Sequence, residues 1–555
     1  MKKLIAMLLC LTMVLSLLVA CGGNSNEATE GNGNDGGTTT ITIGIPQDVK
    51  VVPNYDENAY TKWLEKESGY EIEFVPFSGS DPNTQLAVSI LNDSEKLPDI
   101  LWGFKSLGSG TWSKYGDQGY FIDLKDYFDD KEGAAKTWWD RASQLPEAYV
   151  DMVLRRCTAD DGGMYAFPRI EYTEIDTMDY MVFINQEWLT KLNLSMPTDK
   201  DSLYNVLKAF RDGDPNGNGQ KDEKPLVGGE GVISWIINMF VPFNDNKLFG
   251  LSEDGQTITT PFAEDKYREA LIFLRKLYDE GLMVNCFSIQ ESEISSMFNP
   301  EGENVVGIGQ GHPTLDFNVG GKSVYAYTAV PYWGYAIRNE NQNTYCTFIT
   351  ADAEDPDACW DLLMLMSSEE GAMRQRYGEY GVDWNDADAG AKSYLGYDAT
   401  YKIVKDDAFS GINGQTYHSI SATILIGAEN EYAQYDETLD KWLHAKNGLI
   451  RDIYNNFNKA EKENNPKYMM PVIYYTQEQT EETQFESMNV KSVINSYRMK
   501  FATGVGGLDP SSNSDWNIYL GELKDQGLEK WQSQVQSIYE QDGYKEAVMS
   551  GNAYI

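Results

Sequence analysis

The start of the folded body alternates strand and helix patterns, and this order constrains the fold most. Residues 39–46 (TTITIGIP) and 70–76 (YEIEFVP) alternate apolar and polar side chains, as strands do. Helical patterns follow each of them, at 58–67 and 84–91, and an apolar run at 99–103 (DILWG) predicts a third, buried strand. Strands separated by helices in this way predict a parallel α/β sheet with helices on its faces.

Similar patterns continue along the chain, and the C-terminal part is mostly helical. Further strands are predicted at 181–185 and 304–309, and helices at 187–192, 201–211, 264–280 and 355–377. Residues from 426 onward show helical periodicity with Gly and Asn breaks. No internal repeat of fixed period is present, which argues against a solenoid.

The N-terminus carries a targeting signal. Two lysines precede the apolar run 4–19, which has about 16 residues and is shorter than the ~20 that a helix needs to span a bilayer. Residues 1–20 are therefore interpreted as a signal peptide. The sequence Leu-Val-Ala-Cys at 18–21 resembles the bacterial lipobox, in which the thiol, here that of Cys21, is diacylated and becomes the new N-terminus. A chance Cys behind an ordinary cleavage site is the alternative.

The segment behind the lipobox favours an anchored extracellular protein. Residues 21–40 are rich in Gly, Asn and Ser and contain no apolar run, which predicts a flexible linker. No later stretch reaches the about 18 apolar residues of a membrane-spanning candidate. We expect a body that meets the membrane only through a palmitate-carrying lipid at its N-terminus.

The charge balance narrows the possible partners. The chain has 85 acidic against 45 basic residues, a formal net charge of −40. Nucleic acid is excluded as an expected partner, because binding to phosphates requires a basic surface. The chain has only three histidines, which argues against a His-rich metal centre. We expect a monomer.

The cysteines predict neither a zinc site nor a dense disulfide framework. Cys157, Cys286, Cys346 and Cys359 are widely spaced and form no Cys-x-x-Cys pair. Isolated buried thiols are the favoured interpretation, and a bond between Cys346 and Cys359 is the alternative.

Several stretches together resemble a known family. The lipobox, the polar linker and the β-α-β-α-β start ending in KLPDILWG resemble the extracellular solute-binding proteins of ABC importers. Residues 182–226 resemble the alginate- and oligosaccharide-binding lipoprotein branch, through an Asn-x-x-Trp-Leu helix, a Pro-Thr loop and a DPNGNG…DE loop. EYGVDW at 379–384 is similar to that branch as well. The resemblance implies a two-lobe, periplasmic-binding-protein-like α/β fold with a hinge and a helix-rich second lobe.

The resemblance also implies a division of the chain. We assign residues 1–20 to the signal peptide, 21–40 to the linker, 41–155 and 307–367 to lobe 1, and 156–306 and 368–555 to lobe 2, with a calcium loop at 212–223.

The calcium loop can be judged by its chemistry. Ca²⁺ takes about six to eight oxygen ligands from carboxylates, amides and backbone carbonyls. The candidate ligands are Asp214, Asn216, Asn218, Gln220 (through its backbone carbonyl), Asp222 and Glu223. A second register, Asp212-x-Asp214-x-Asn216-Gly217 with Glu223, also satisfies the EF-hand spacing. The resemblance favours the first register and a structural ion. The alternative is a solvated Asn-Gly turn that binds no metal.

The solute site is predicted from residue chemistry. Sugars have apolar C–H faces and many hydroxyls, so a receptor needs aromatic platforms with carboxylates and amides. The candidates lie past strand ends or in glycine-flanked loops: Trp102, Trp235, Tyr332, Trp333 and Trp384, with Glu230, Arg338 and Asp383 as polar partners. Core packing is the alternative for each aromatic, and Trp63, Trp188 and Trp442 on helical patterns are predicted to be core.

Two classes of function remain. The favoured one is a receptor that captures an oligosaccharide and delivers it to the permease subunits of an ABC importer without catalysing any reaction. The acidic charge favours a neutral or amino-bearing solute over a strongly acidic polysaccharide. The alternative is a surface glycoside hydrolase, which needs only two carboxyl groups about 5–9.5 Å apart. No Walker A motif, H-E-x-x-H helix or G-x-S-x-G elbow is present.

Overall fold

The computed structural model describes residues 39–46, 54–77, 81–92, 96–104, 107, 109–298, 303–313, 323–339, 347–404, 424–426, 431–435, 441–473, 475–541 and 543–551. The predicted signal peptide and the lipidated Cys21 lie outside these residues. None of the helices described is long and apolar enough to cross a membrane. The proposed lobe limits stay predictions.

The first sheet confirms the parallel arrangement predicted from the N-terminal alternation. Its strands are β1 (Thr40–Pro46), β2 (Glu71–Phe77), β3 (Ile100–Trp102) and β11 (Thr347–Ile349). Their order is β11-β3-β1-β2, and β1 runs parallel to both neighbours. The distant β11 adds an antiparallel edge next to β3, which the local pattern did not predict.

Local capping explains why the connecting helices begin and end where they do. Helix α1 (Ala59–Ser68) starts where the Asn58 side chain accepts from the Tyr60 N–H at 2.8 Å. It ends at Gly69, whose φ of 75° suits a residue without Cβ. Helix α2 (Pro82–Leu91) begins with an aspartate cap and Pro at its first turn. Both helices connect parallel strands, as a crossover must.

A first hydrophobic core packs around this sheet. It contains apolar side chains of the strands, of the helices on both sides and of later segments, among them Ile43, Leu64, Trp102, Trp138 and Trp360. Trp102 is fully buried there.

The second sheet is buried on both faces. Its order is β10-β5-β9-β6, with strands Tyr327–Ala329, Val182–Asn185, Val306–Gln310 and Lys224–Val227. Along β5, Val182 and Ile184 belong to a second core, whereas Phe183 between them belongs to a third. Because side chains alternate between faces of a strand, a run of four buried residues fits a strand covered on both sides.

The remaining strands form three short pairs. They are β4 (Ile170–Tyr172) with β14 (Ile424–Ile426), β7 (Gly250–Leu251) with β8 (Ile258–Thr259), and β12 (Trp384–Asp386) with β13 (Tyr401–Ile403).

Helices make up most of the rest. In the first half they are α3 (Ser109–Asp117), α4 (Lys125–Asp129), α5 (Lys136–Ala142), α6 (Glu147–Cys157), α7 (Gln186–Lys191), α8 (Lys200–Asp212), α9 (Gly231–Ile237), α10 (Asp265–Asp279) and α11 (Glu291–Phe298). In the second half they are α12 (Pro356–Ser367), α13 (Glu369–Tyr377), α14 (Lys441–Asn464), α15 (Gln477–Thr503), α16 (Asn513–Asp525), α17 (Leu528–Gln541) and α18 (Tyr544–Ser550). The prediction that the C-terminal part is mostly helical is therefore confirmed.

The cysteines and the helical tryptophans largely follow the sequence interpretation. Cys286 and Cys359 are buried free thiols, and Cys346 lies outside the described residues. Trp188 is buried in the second core, and Trp63 is half-buried against the first core. The side chain of Trp442 is not among those described.

The single helical stretch predicted at 355–377 is divided at Ser368. This residue is extended (φ −61°, ψ 159°), and its Oγ accepts from the Gly371 N–H at 3.0 Å, so it caps α13. A Cβ on Gly371 would lie 2.4 Å from the Leu365 carbonyl oxygen. The prediction of one helix was therefore wrong at this point, because a serine cap and a close glycine contact start a second helix.

We predict that Gly371→Ala destabilises the protein by about 1–3 kcal/mol, because the new methyl group collides with backbone that cannot move freely. Gly521→Ala in α16 is the matched control. A Cβ there meets nothing within 4 Å, and alanine is favoured in a helix, so its stability should stay equal or rise by up to about 1 kcal/mol. Urea unfolding of both variants measures the difference, and equal stabilities would contradict the packing argument.

Candidate functional site

A polar and aromatic site forms around the short helix α9. Glu230 directly precedes this helix, and Ser234 on it donates its hydroxyl to Asp245 Oδ2 at 3.0 Å. The indole of the neighbouring Trp235 lies 6.0 Å, centroid to centroid, from that of Trp333. Trp235 is buried and Trp333 is half-buried. The two indoles therefore pack against each other at an angle of 59°, and Trp235 lies on the same short helix as Ser234, directly after Glu230.

A glycine brings the Trp333 segment close to α9. A Cβ on Gly334 would lie 2.2 Å from the backbone oxygen of Asn238, which ends the helix. The next residue, Tyr335, donates its N–H to the same oxygen at 2.8 Å. Only glycine permits this approach, so Gly334 positions the indole of Trp333.

A buried arginine from α15 ties the carboxylates of this site together. Arg498 forms ion pairs with Asp245 and with Glu230, the latter at 3.4 Å. Burial opposes the charge of Arg498, but Tyr267 and Asp245 nearby hold its pKa above the ordinary value. A buried cation is stable only when it is paired, so Arg498 fixes Asp245 and orients Glu230. The Glu230 side chain remains 61% exposed and accessible.

Asp179 supplies an unsatisfied acceptor beside this network. Its Oδ1 accepts from Asn339 Nδ2 at 2.9 Å, and Asn339 Oδ1 accepts from Asn244 Nδ2 at 2.9 Å. Its Oδ2 is buried and has no hydrogen-bond partner among the described atoms. Burial raises the pKa of Asp179 to about 7. Buried carboxyl groups of this kind are typical of functional sites.

Two other predicted ligand contacts lie deeper. Tyr332 donates its hydroxyl to the Tyr180 backbone oxygen at 2.8 Å and packs edge-on against Phe457. Arg338 is held by Glu461 at 2.8 Å and donates to Thr177 Oγ1 at 2.7 Å. Arg338 therefore connects chain segments, and its role as a ligand contact stays a prediction.

The structure places the other predicted contacts in packed interiors. Trp102 lies in the first core. In the EYGVDW stretch, Asp383 accepts from the Glu379 N–H at 2.8 Å, and Trp384 donates its indole N–H to the Gly378 oxygen at 3.0 Å. This motif closes on itself, so burial favours packing roles for Asp383 and Trp384, and ligand contact stays a prediction.

Sequence reasoning missed Asp179, Asp245 and Arg498. Asp245 lies in the polar loop FNDNK, which is a weak signal. Nothing in the helical pattern of α15 distinguishes Arg498 from other surface charges, because its partner lies 253 residues away.

The predicted calcium loop joins α8 to β6. Asp214 has a positive φ of 46°, and its two carboxylate oxygens accept from the N–H groups of Gly217 and Gly219, each at 3.1 Å. Both glycines have a positive φ. The side-chain amides of Asn216 and Asn218 donate to the two oxygens of Asp222 at 2.9 Å. The loop therefore wraps around its own oxygen-bearing side chains.

The donor set of this loop fits a hard cation. Glu223 is buried, and its Oε1 has no hydrogen-bond partner among the described atoms. Burial raises the pKa of Glu223, with Asp222 and Asp214 adding to the shift. In the described residues, no three His, Cys, Asp or Glu side chains form a ready cluster for a metal. Ca²⁺ also takes amide oxygens, so the side chains of Asn216 and Asn218 belong to the donor set of the loop.

The geometry also bears on the register of the loop. Asp212, which only the second register uses, is the last residue of α8 and pairs with Arg211 at 2.7 Å. The first register uses Asn216, Asn218 and Asp222, which form one hydrogen-bonded network. It also uses Asp214, whose carboxylate accepts from the backbone of the same loop. This arrangement favours the first register.

Comparisons with known proteins agree with the sequence resemblance. The fructooligosaccharide ABC transporter substrate-binding protein FusA of Streptococcus pneumoniae serotype 4 (strain ATCC BAA-334 / TIGR4) is 32% identical over 295 residues, 49% of this chain and 51% of FusA. Lipoprotein LipO of Bacillus subtilis (strain 168) is 27% identical over 287 residues, 51% of this chain and 52% of LipO. The chain thus matches about half the length of these relatives.

Solved structures show the same fold. FusA of S. pneumoniae in complex with kestose aligns with a TM-score of 0.69 at 19% identity, covering 91% of this chain and 100% of that one. The alginate-binding protein AlgQ2 without calcium ion aligns with a TM-score of 0.59 at 21% identity, covering 91% and 98%. The two-lobe α/β fold expected from the sequence is confirmed. The model of the family described as bacterial extracellular solute-binding protein matches residues 50–373, and the chain therefore belongs to that family.

Proposed function

We propose that this protein is a lipid-anchored extracellular receptor that captures an oligosaccharide and delivers it to the permease of an ABC importer. Family membership supports solute binding in general, and FusA is named for fructooligosaccharides. The observation that carries the proposal is the Trp235–Trp333 pair beside Glu230 and Asp179. A pocket with aromatic faces and a few placed polar groups is the usual architecture of a small-molecule site.

Each group of the site has a distinct role in this proposal. The half-buried Trp333 offers its ring to the apolar side of a sugar, and the tilted indole of Trp235 packs against it. Glu230 accepts hydrogen bonds from sugar hydroxyls, while Arg498 keeps its carboxylate oriented. The unpartnered Asp179 oxygen binds a further hydroxyl. Solute contacts made from both lobes shift the population from open to closed, and no covalent step is required.

The lipid anchor and the permease partner belong to the same proposal. The lipobox at 18–21 and the polar linker behind it support anchoring, and the relative LipO is named a lipoprotein. A receptor held near its permease by a short flexible linker has a high effective concentration there. The solute then passes on unchanged.

A structural calcium ion in the α8–β6 loop is the second part of the proposal. The ligands would be Asp214, Asn216, Asn218, the Gln220 carbonyl, Asp222 and Glu223. An ion there supplies positive charge that offsets three neighbouring carboxylates. It would thereby stabilise the junction between α8 and the edge strand β6 of the second sheet.

For the calcium site, we predict that a chelator lowers the melting temperature by a few degrees and that added Ca²⁺ restores it. A ligand at about 100 times its Kd stabilises a protein by about 2.7 kcal/mol. Asp214→Asn should abolish the response. Asp212→Asn is the matched control that separates the two registers, and it should keep the full response. Differential scanning fluorimetry measures both, and an unchanged melting temperature in the wild type would rule out the ion.

For the solute site, we predict that Trp333→Ala weakens oligosaccharide binding about 10- to 100-fold, because a supported aromatic face contributes much of the affinity. Trp63→Ala is the control, since this tryptophan is equally half-buried but packs against the first core. Isothermal titration with kestose and other neutral oligosaccharides measures the loss. Equal affinities of the two variants would contradict the assigned site, and released products would reveal an enzyme.

A further inference from the structure

Three stretches of the chain that contact one another link the first hydrophobic core to the third. Residues 170–175 begin in the first core and end against the third. Ile424 and Ile426 lie at the first core and Tyr435 packs against the third, whereas Ala336 lies in the third core and Phe348 in the first. In a two-lobe fold, segments of this kind connect the lobes, and their backbone absorbs the rotation during closure. We refer to the described residues of these three stretches, 170–177, 336–339 with 347–348, and 424–426 with 431–435, as the crossing segments.

Two crossing segments run side by side. Strands β4 and β14 pair in parallel, with Ile170 opposite Ile424 and Tyr172 opposite Ile426. A motion of one segment relative to the other must therefore disturb the hydrogen bonds of this ladder or the contacts of the residues that follow it.

Glu431 contacts the chain just beyond the C-terminal end of strand β4 of this ladder. It is 1% exposed, and its Oε1 accepts both from Thr173 Oγ1 at 2.8 Å and from the Ile175 N–H at 2.9 Å. These two donors lie where segment 170–175 leaves the first core. The carboxyl group thus holds one crossing segment to another.

The third crossing segment is tied to the same place. Arg338 donates to the Glu174 backbone oxygen at 3.1 Å and to Thr177 Oγ1 at 2.7 Å. Its guanidinium also pairs with Glu461 on α14. Thr173–Thr177 is therefore held by Glu431 on one side and by Arg338 on the other.

The surroundings of Glu431 disfavour its charge. Burial raises its pKa to about 7, and Glu174 adds to the shift, while the two donated hydrogen bonds oppose it. Among the described residues, the other titratable groups near it are Tyr432 on its own segment and Tyr397, with Tyr454 of α14 bonded to Glu174. The cation Arg338 is already paired with Glu461.

We propose that Glu431 is a proton-operated latch on the lobe hinge, closed when its carboxyl group is neutral and loosened when it is ionised. A neutral carboxyl is tolerated in this interior and still accepts from Thr173 and Ile175. An ionised one gains from moving toward water, so opening of the crossing segments becomes easier as the pH rises through about 7. The inference rests on the proposed receptor function, since closure on a solute requires these segments to move.

The test measures the latch separately from solute binding. Hydrogen–deuterium exchange of residues 173–177, corrected for intrinsic rates, should show about tenfold lower protection at pH 8 than at pH 6, as linkage predicts for a buried acid of pKa near 7. In the Glu431→Gln variant, which mimics the neutral carboxyl group, the protection of residues 173–177 should stay high at both pH 6 and pH 8. The same pH profile in the variant and the wild type would overturn the proposal.

Two further variants keep the test decisive. Glu174→Gln removes a neighbouring negative charge that raises the pKa of Glu431, so the midpoint of the exchange profile should move to lower pH. A midpoint that stays in place or moves to higher pH contradicts the coupling. Asp179→Asn removes the buried acid of the solute site, whose pKa is also about 7, and should leave the exchange of 173–177 pH-dependent.

Solute affinity supplies the functional readout. In an Asp179→Asn background, where the buried acid of the solute site no longer titrates, the Kd for kestose should change at least about threefold between pH 6 and pH 8. It should stay level once Glu431→Gln is added to that background. Failure to bind any oligosaccharide would refute the receptor proposal. The pH dependence of hydrogen–deuterium exchange at residues 173–177 would still show whether Glu431 acts as a latch.

Discussion

The cost of burying charge organises the functional parts of this protein. A carboxylate or guanidinium away from water must be paired, neutralised or bound to a cation. Arg498 meets this requirement through Asp245 and Glu230, and Arg338 meets it through Glu461. Asp179, Glu223 and Glu431 are different, because burial raises the pKa of each.

These three acids lie in three separate places. Asp179 borders the aromatic site, Glu223 closes the loop between α8 and β6, and Glu431 joins two crossing segments. A solute hydroxyl, a cation and a proton are the respective partners that would relieve them. The same physical demand thus underlies the proposed binding, metal and hinge functions.

The fold was predictable where its causes are local. Strand alternation, the Asn58 and Asp81 caps and the apolar stripe of α8 each depend on residues within a few positions of one another. The antiparallel strand β11 was not predictable, because its partner β3 lies far away in the sequence. The break at Ser368 was missed because a helical pattern tolerates a serine, and only the contact of Gly371 with the preceding turn makes that serine a cap.

The candidate site follows the same division. The family resemblance, the alternating oxygen donors of residues 214–223 and the aromatics at loop ends could be read from the sequence, since these are patterns among near neighbours. Only the tertiary structure decided that Trp235 pairs with Trp333, that Arg498 meets Asp245 and that Glu431 meets Thr173. The last two contacts join residues more than 250 positions apart. Such pairs form because burial removes water from both partners at once, and no local pattern records which distant residue will share that interior.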